Sequence, residues 1–166
     1  MTACAQIENV RFHIAAAIAV GVTVFSPLPP AQAWPWPPPP GIEDINGYPI
    51  AEGDYSSPTD HYGLFFRTPD GRHCGIRPNR GPVGCDAVPA DAPEGMNQTF
   101  VEAGAPATYR YSGTPSFTRD DVDVLPAGYR LENWEAACAL TQEGAVICKT
   151  SGRHGFSLDT ASGTLW

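Results

Sequence analysis

The sequence is poor in basic residues and contains a single lysine, Lys149. Its 18 Asp and Glu residues outnumber its 10 Lys and Arg residues, which gives the 166-residue chain a formal net charge of −8. An acidic surface repels phosphates and anionic lipid headgroups. The composition therefore argues against nucleic-acid binding, and against binding to a membrane surface, as the main function.

The sequence also lacks an apolar run long enough to cross a bilayer as a helix. Its longest run, residues 14–25, is shorter than the roughly 20 residues that a membrane-spanning helix needs. This run follows Arg11 and precedes the small-residue pattern Ala31-Gln32-Ala33, an arrangement typical of a cleaved signal peptide. We therefore predict a signal peptide at residues 1–33 and a secreted or cell-envelope protein with no transmembrane anchor after cleavage.

The mature chain keeps an even number of cysteines. Cys4 is not part of the predicted mature protein: it falls within the signal peptide if translation begins at Met1, and it is not translated if translation begins at Val10. Because the remaining four belong to an exported chain, they indicate disulfides. Their spacing lacks the close cysteine pairs of a zinc site. These four residues are Cys74, Cys85, Cys138 and Cys148.

Three pairings of four cysteines exist, and the spacing favours one hairpin for each neighbouring pair. Opposed residues of an antiparallel hairpin have a constant sum of residue numbers, so Cys74 opposite Cys85 centres a turn between Asn79 and Arg80. Cys138 opposite Cys148 centres a three-residue loop that ends in Gly, the residue that a left-handed bulge position requires. We predict the disulfides Cys74–Cys85 and Cys138–Cys148.

The abundance of turn-forming residues predicts an all-β fold. The chain has 17 Gly and 18 Pro, which interrupt regular structure and favour short strands. Short apolar or alternating runs recur from residue 61 to the end, and such runs suggest a small sandwich or barrel of antiparallel strands. Residues 34–60 are predicted to form a Pro-rich, mostly irregular stalk. The predicted strands are 62–67, 73–77, 82–86, 99–103, 107–112, 136–142, 145–149 and 154–158.

One segment fits two types of secondary structure. Leu131, Trp134 and Cys138 would share one face of a helix. We prefer a strand from about Ala136, because Cys148 needs an opposed partner.

Two blocks of the sequence resemble a family of small exported mycobacterial and other actinobacterial proteins. The first block is Thr68–Cys74 with Val83–Asp86, and the second centres on Cys138, Cys148 and Gly152-Arg153-His154-Gly155-Phe156. The first block departs from the family pattern, since Asp and Arg replace its usual Ser and Asn at positions 70 and 72. The resemblance spans roughly residues 62–158. It implies export and paired-cysteine hairpins and supplies no activity.

No catalytic constellation is predicted from the sequence. His154, Ser157 and Asp159 suggest a hydrolase triad, but no G-x-S-x-G elbow occurs, and a strand would point His154 and Ser157 to opposite faces. The acidic run Asp120–Asp123 lacks the Gly and terminal Glu of a calcium-binding EF-hand loop. His61 and His73 have no ligand spacing. We therefore predict no catalytic residue, no cofactor and no metal site.

The function predicted from the sequence is a non-enzymatic domain that binds an unknown partner or ligand in the cell envelope or outside the cell. Several aromatic residues are candidates for a binding face for sugars or apolar ligands, although in a small β domain they more often belong to the core. The alternatives are a small secreted hydrolase and a protease inhibitor that presents the disulfide-held loop Pro78–Gly81. The candidate aromatics are Tyr109, Tyr111, Phe117, Tyr129 and Trp134.

Overall fold

Ten short strands and one turn of 3₁₀ helix (Ile45–Gly47) make up the secondary structure of the described residues. The computed structural model describes residues 38–151 and 153–166, so the predicted signal peptide and residues 34–37 lie outside the described part. Within this part no helix is long and apolar enough to cross a membrane. The strands are β1 Leu64–Arg67, β2 His73–Ile76, β3 Val83–Cys85, β4 Gln98–Val101, β5 Thr108–Arg110, β6 Tyr129–Asn133, β7 Ala136–Leu140, β8 Val146–Lys149, β9 Gly155–Leu158 and β10 Gly163–Leu165.

The strands form two five-stranded antiparallel sheets, which confirms the all-β prediction. Each sheet is a simple meander, with β1 to β5 in the first sheet and β6 to β10 in the second. The sheets face one another with β1 near β6, β2 near β7, β3 near β8 and β4 near β9. At one corner they also join, because the Ala107 amide donates to the Trp166 carbonyl (3.2 Å). The architecture is therefore a β-sandwich.

Both predicted disulfides are present and lie in the predicted register. Cys74 is opposed to Cys85 across β2 and β3, and Cys138 is opposed to Cys148 across β7 and β8. The loop after β7 ends in Gly144 with a φ of 87°, as the three-residue turn requires. Each disulfide joins the second and third strands of its own sheet, so the two sheets share the same topology and the same disulfide position.

The core lies between the sheets, and both disulfides are fully buried in it. The side chains of each strand alternate between this core and the outer face of its sheet. The apolar residues packed around the disulfides include Phe66, Ile76, Val83, Leu131, Leu140, Val146, Phe156 and Leu158.

The outer face of the first sheet is covered by the chain segment that follows β5. Phe117 and Val122 from this segment pack on Phe65 and Phe100. The cover sits close to the sheet because β3 has a glycine at this point: a Cβ atom on Gly84 would lie 2.5 Å from the Phe117 ring. We call residues 111–122 the first cover.

The outer face of the second sheet is covered by the segment that precedes β1. The buried Ile45 of the 3₁₀ helix packs on Ala137, Ala139 and Ile147. Apart from that helix and isolated bridges, residues 38–60 are irregular in structure. Part of the segment that the sequence places in the stalk therefore belongs to the folded domain. We call residues 42–48 the second cover.

The residue after the second cysteine of each disulfide anchors the cover of that sheet. The Asp86 carboxylate accepts hydrogen bonds from the backbone amides of residues 116–118 in the first cover. The Lys149 ammonium donates to the Asn46 side chain in the second cover. In each sheet, the residue after the second cysteine thus holds the segment that covers the outer face, with a negative charge in the first sheet and a positive charge in the second.

One arginine links the two sheets by hydrogen bonds. The Arg72 guanidinium donates to the carbonyls of Leu158 (2.8 Å) and Gly144 (2.6 Å) in the second sheet and its hairpin. Its Nε forms an ion pair with Asp70 (2.9 Å). Asp70 and Arg72 therefore act together at the junction of the two sheets.

Two strands were not predicted from the sequence. The helical interpretation of residues 131–138 is wrong, because β6 ends at Asn133 and a two-residue turn leads into β7 at Ala136. The preferred strand from about Ala136 is confirmed. The last strand, β10, pairs with β9 through Leu165 and Phe156.

Candidate functional site

The tips of two hairpins meet at one end of the sandwich. The β2–β3 turn carries Arg80 and the β6–β7 turn carries Glu135, and a 3.0 Å ion pair joins their side chains. Because β2 lies near β7, the facing of the two sheets brings these turns together although they are far apart in sequence. The pair is well exposed, with 61% of the Arg80 side chain and 54% of the Glu135 side chain accessible.

Both turns adopt a backbone conformation that side chains disfavour. Asn79, Arg80, Trp134 and Glu135 have φ angles between 50° and 68°, and they are the only non-glycine residues with positive φ in the described part of the chain. The β6–β7 turn has two such residues in succession, as in a type I′ turn, where Asn-Gly is the usual sequence. Strained residues of this kind tend to cluster at functional sites.

Two exposed aromatic rings lie at the same end of the molecule. Trp134 is 52% exposed and Tyr62, just before β1, is 75% exposed. The Asn133 side-chain amide donates to the Tyr62 carbonyl (2.7 Å), which fixes the backbone of Tyr62 beside the β6–β7 turn. We call Tyr62, Asn79, Arg80, Trp134 and Glu135 the hairpin-tip site.

Partly buried charges hold the segment that carries Tyr62. The Asp60 carboxylate contacts the guanidinium groups of Arg119 (3.2 Å) and Arg77 (3.6 Å). The Arg119 guanidinium also stacks over the Phe65 ring at 4.2 Å from its centroid, a favourable cation–π geometry. These contacts anchor the chain two residues before Tyr62 and so help to fix the position of Tyr62 in the hairpin-tip site.

The strain in the β6–β7 turn predicts that a glycine there stabilises the fold. A left-handed residue with a side chain costs roughly 1–2 kcal/mol, and the exposed ion pair that Glu135 forms is worth about 0–1 kcal/mol. We expect Glu135→Gly to raise the free energy of unfolding by about 1 kcal/mol and the melting temperature by about 3 °C. Thermal unfolding followed by circular dichroism checks this result.

Glu143 provides the control for this substitution. It is a glutamate in the neighbouring β7–β8 turn, and it is not among the residues with positive φ. Glu143→Gly relieves no strain and frees the unfolded backbone, so it should destabilise the protein slightly. An equal gain from both substitutions would contradict the strain at Glu135.

The structure does not bring the hydrolase candidates together. Ser157 lies in β9, opposed to Ile147, and so belongs to the outer face of the second sheet. Asp159 accepts hydrogen bonds from the amides of Ser162 and Ala161, and these hydrogen bonds lower the pKa of Asp159. Among the described hydrogen bonds, none joins the side chains of His154, Ser157 and Asp159.

Residues of the acidic run Asp120–Asp123 form hydrogen bonds that link neighbouring loops. Asp121 accepts from the Ser57 hydroxyl (3.1 Å), and Asp123 accepts from the Asp54 amide (2.8 Å). Over residues 38–151 and 153–166, no group of three or more His, Cys, Asp or Glu side chains is placed to hold a metal ion.

The five candidate aromatics do not form one face. Phe117 is fully buried, and the Tyr109 hydroxyl is buried close to Gly163, where an added Cβ atom would overlap it. Tyr111 lines a cavity of about 310 Å³ beside Asp86, while Tyr129 lines a separate cavity of about 570 Å³ beside Ile50. Trp134 alone of the five lies at the hairpin tip.

Part of this site was predictable from the sequence and part was not. Trp134 was one of the candidate aromatics, and Asn79 and Arg80 lie in the loop proposed for an inhibitor. Tyr62 and Glu135 carry no local signal, because their role depends on the contact between two sheets.

No protein-family model matches the chain, and neither the curated proteins nor the solved structures contain a significant match.

Proposed function

We propose that this protein is an exported, non-enzymatic binding domain of the cell envelope or extracellular space, and that the hairpin-tip site holds its ligand. The observation that carries the proposal is the pair of exposed rings, Trp134 on a strained turn and Tyr62 held beside that turn by Asn133, next to the Arg80–Glu135 ion pair. Trp, Tyr and Arg are the residues that most often dominate binding energy at protein surfaces. A strained turn kept despite its cost is consistent with such a role.

Export is supported by the sequence and by the disulfides. Residues 1–33 have the pattern of a signal peptide, and disulfides persist mainly in oxidising compartments outside the cytosol. The actinobacterial source that the family resemblance implies is part of the same proposal. The resemblance adds nothing about the ligand.

The two alternatives have weaker support. A hydrolase would need His154 to act with Ser157 or an acidic group, and no hydrogen bond within the described chain makes that connection. A protease inhibitor usually presents an extended segment that pairs with the protease as a strand. Asn79 and Arg80 at the tip of Pro78–Gly81 are left-handed, which does not suit that mode of binding.

Replacing both rings of the hairpin-tip site should abolish ligand capture. We expect Tyr62→Ala with Trp134→Ala to reduce recovery of the ligand from an envelope extract at least about 10-fold, because both aromatic anchors are lost. The measurement is a pull-down with immobilised purified protein, with the bound material quantified. Circular dichroism verifies that the variant is folded.

Two other exposed tyrosines provide the matched control. Tyr111 is 69% exposed and Tyr129 is 40% exposed, and both lie away from the hairpin tip. Tyr111→Ala with Tyr129→Ala should leave capture unchanged. Equal loss in both double variants, or no captured material with the wild type, would refute the proposed site.

A further inference from the structure

The two exposed rings of the hairpin-tip site offer much less area than a stable protein interface buries. A standard protein interface buries roughly 800 Å² on each side, whereas a single aromatic side chain contributes about 150–250 Å² at most. Two partly exposed rings on the narrow end of a sandwich therefore offer roughly 300 Å². This area corresponds to one or two rings of a small or polymeric ligand.

The exposed groups of the site combine apolar ring faces with paired donors and acceptors. The face of an aromatic ring is electron-rich and attracts C–H groups that carry partial positive charge, such as those on the flat face of a sugar ring. The Arg80–Glu135 pair leaves further N–H donors on the guanidinium and a second carboxylate oxygen, since each side chain is more than half exposed. Planar donors beside planar acceptors suit neighbouring hydroxyl groups.

The charge of the site selects against ionic ligands. Arg80 and Glu135 neutralise one another, so this ion pair adds no net charge to the site. The chain as a whole carries −8, which disfavours the approach of anionic polymers. The ligand that matches this surface is uncharged and rich in hydroxyl groups.

We propose that the hairpin-tip site binds a neutral polysaccharide, with sugar rings stacked on Trp134 and Tyr62 and hydroxyl groups bound by Arg80 and Glu135. This inference rests on the proposed function, because it names the ligand class of the same site. Trp134 and Arg80 lie in short hairpin turns whose ends are held by strand pairing, so little backbone entropy is lost when the ligand binds. A type I′ turn with Asn-Gly would be more stable but would carry neither the ring nor the carboxylate.

The test is affinity electrophoresis of the full-length gene product in native gels that contain one polysaccharide each. The probes are laminarin, dextran, galactomannan and soluble xylan, with polygalacturonate as the anionic comparison. We expect at least one neutral polysaccharide to retard the wild type and polygalacturonate to leave it unaffected. Trp134→Ala and Tyr62→Ala should each raise the dissociation constant at least about 10-fold. Glu135→Gln should weaken binding less, and Tyr111→Ala should not change it.

The outcomes separate this inference from the proposed function. If no neutral polysaccharide retards the wild type while a protein is still captured through Tyr62 and Trp134, the ligand class is wrong and the binding site stands. If neither polysaccharide nor protein is bound, both proposals fail. Retardation that survives Trp134→Ala and Tyr62→Ala would place the sugar elsewhere and overturn the inference.

Discussion

Replacing Asp86 with alanine is expected to lower the free energy of unfolding by about 3–5 kcal/mol. Its carboxylate accepts the amides of Ser116 (3.0 Å), Phe117 (2.7 Å) and Thr118 (2.7 Å), and it also accepts the Gln98 amide and the Thr118 hydroxyl. Each buried donor left without an acceptor costs about 1–3 kcal/mol. The loss also detaches the first cover, so Phe117 no longer shields the outer face of its sheet.

The charge of Asp86 makes part of this stability depend on pH. Burial by itself raises the pKa of Asp86, but hydrogen bonds from Ser116, Gln98, Phe117 and Thr118 outweigh it and hold the pKa below its usual value. The ionised Asp86 carboxylate therefore contributes its full stabilisation above the unfolded-state pKa of about 3.9. This stabilisation is lost as the pH falls from there through the lower folded-state pKa.

Urea unfolding between pH 2.5 and 7 tests both statements. The side chain introduced by Asp86→Asn would have the same shape as the wild-type carboxylate, but its NH₂ group would face backbone N–H donors. Asp86→Asn should therefore lower the free energy of unfolding at pH 7, and should lower it less at pH 2.5, where the wild-type carboxylate begins to be protonated. Asp120→Asn changes an exposed carboxylate and serves as the control, with little expected effect at either pH. An Asp86→Asn variant as stable as the wild type at pH 7 would contradict the anchoring role.

Removing the Cys138–Cys148 disulfide is expected to have an effect of similar size. A bridge that closes a loop of this length contributes about 3 kcal/mol by restricting the unfolded chain. Both sulfur atoms are also fully buried in the core, so Cys138→Ala with Cys148→Ala leaves a small cavity. We expect a total loss of about 3–5 kcal/mol.

Denaturant unfolding with and without a reductant measures this effect. The wild type should lose stability when both disulfides are reduced, and the double variant should lose only the part that Cys74–Cys85 supplies. Cys74→Ala with Cys85→Ala is the matched variant, since its loop is nearly the same length and its sulfurs are equally buried. A double variant that unfolds at the wild-type denaturant concentration would show that the disulfide adds nothing.

The disulfide framework was predictable because hairpin geometry is local. A constant sum of residue numbers fixed the register of Cys74 with Cys85 and of Cys138 with Cys148, and the structure confirms both. The strand β6 was missed because its turn contains Trp134 and Glu135 in left-handed conformations without the Asn or Gly that normally mark such a turn. The spacing of Leu131, Trp134 and Cys138 also matched the period of a helix, although these residues belong to two strands and the turn between them.

The candidate site could be predicted only in fragments for a different reason. Tyr62, Arg80 and Trp134 come from three separate connections of the chain, and only the stacking of two sheets brings them to one end. Asp86 was visible in sequence merely as the residue after a cysteine. Four of its five hydrogen bonds depend on the path of the first cover, which the sequence does not encode in any local pattern.

The order of the disulfides has a consequence for how the chain matures. Each bridge joins cysteines that are neighbours in sequence, and each belongs to a meander whose strands pair only with their sequence neighbours. In the export that we propose, the amino-terminal meander holds both thiols of its own bridge, so Cys74 and Cys85 can be oxidised before Cys138 emerges from the translocation channel. Once Cys4 has been removed with the predicted signal peptide, each early thiol has only one possible partner. We therefore expect oxidative maturation along the chain to need no disulfide isomerase.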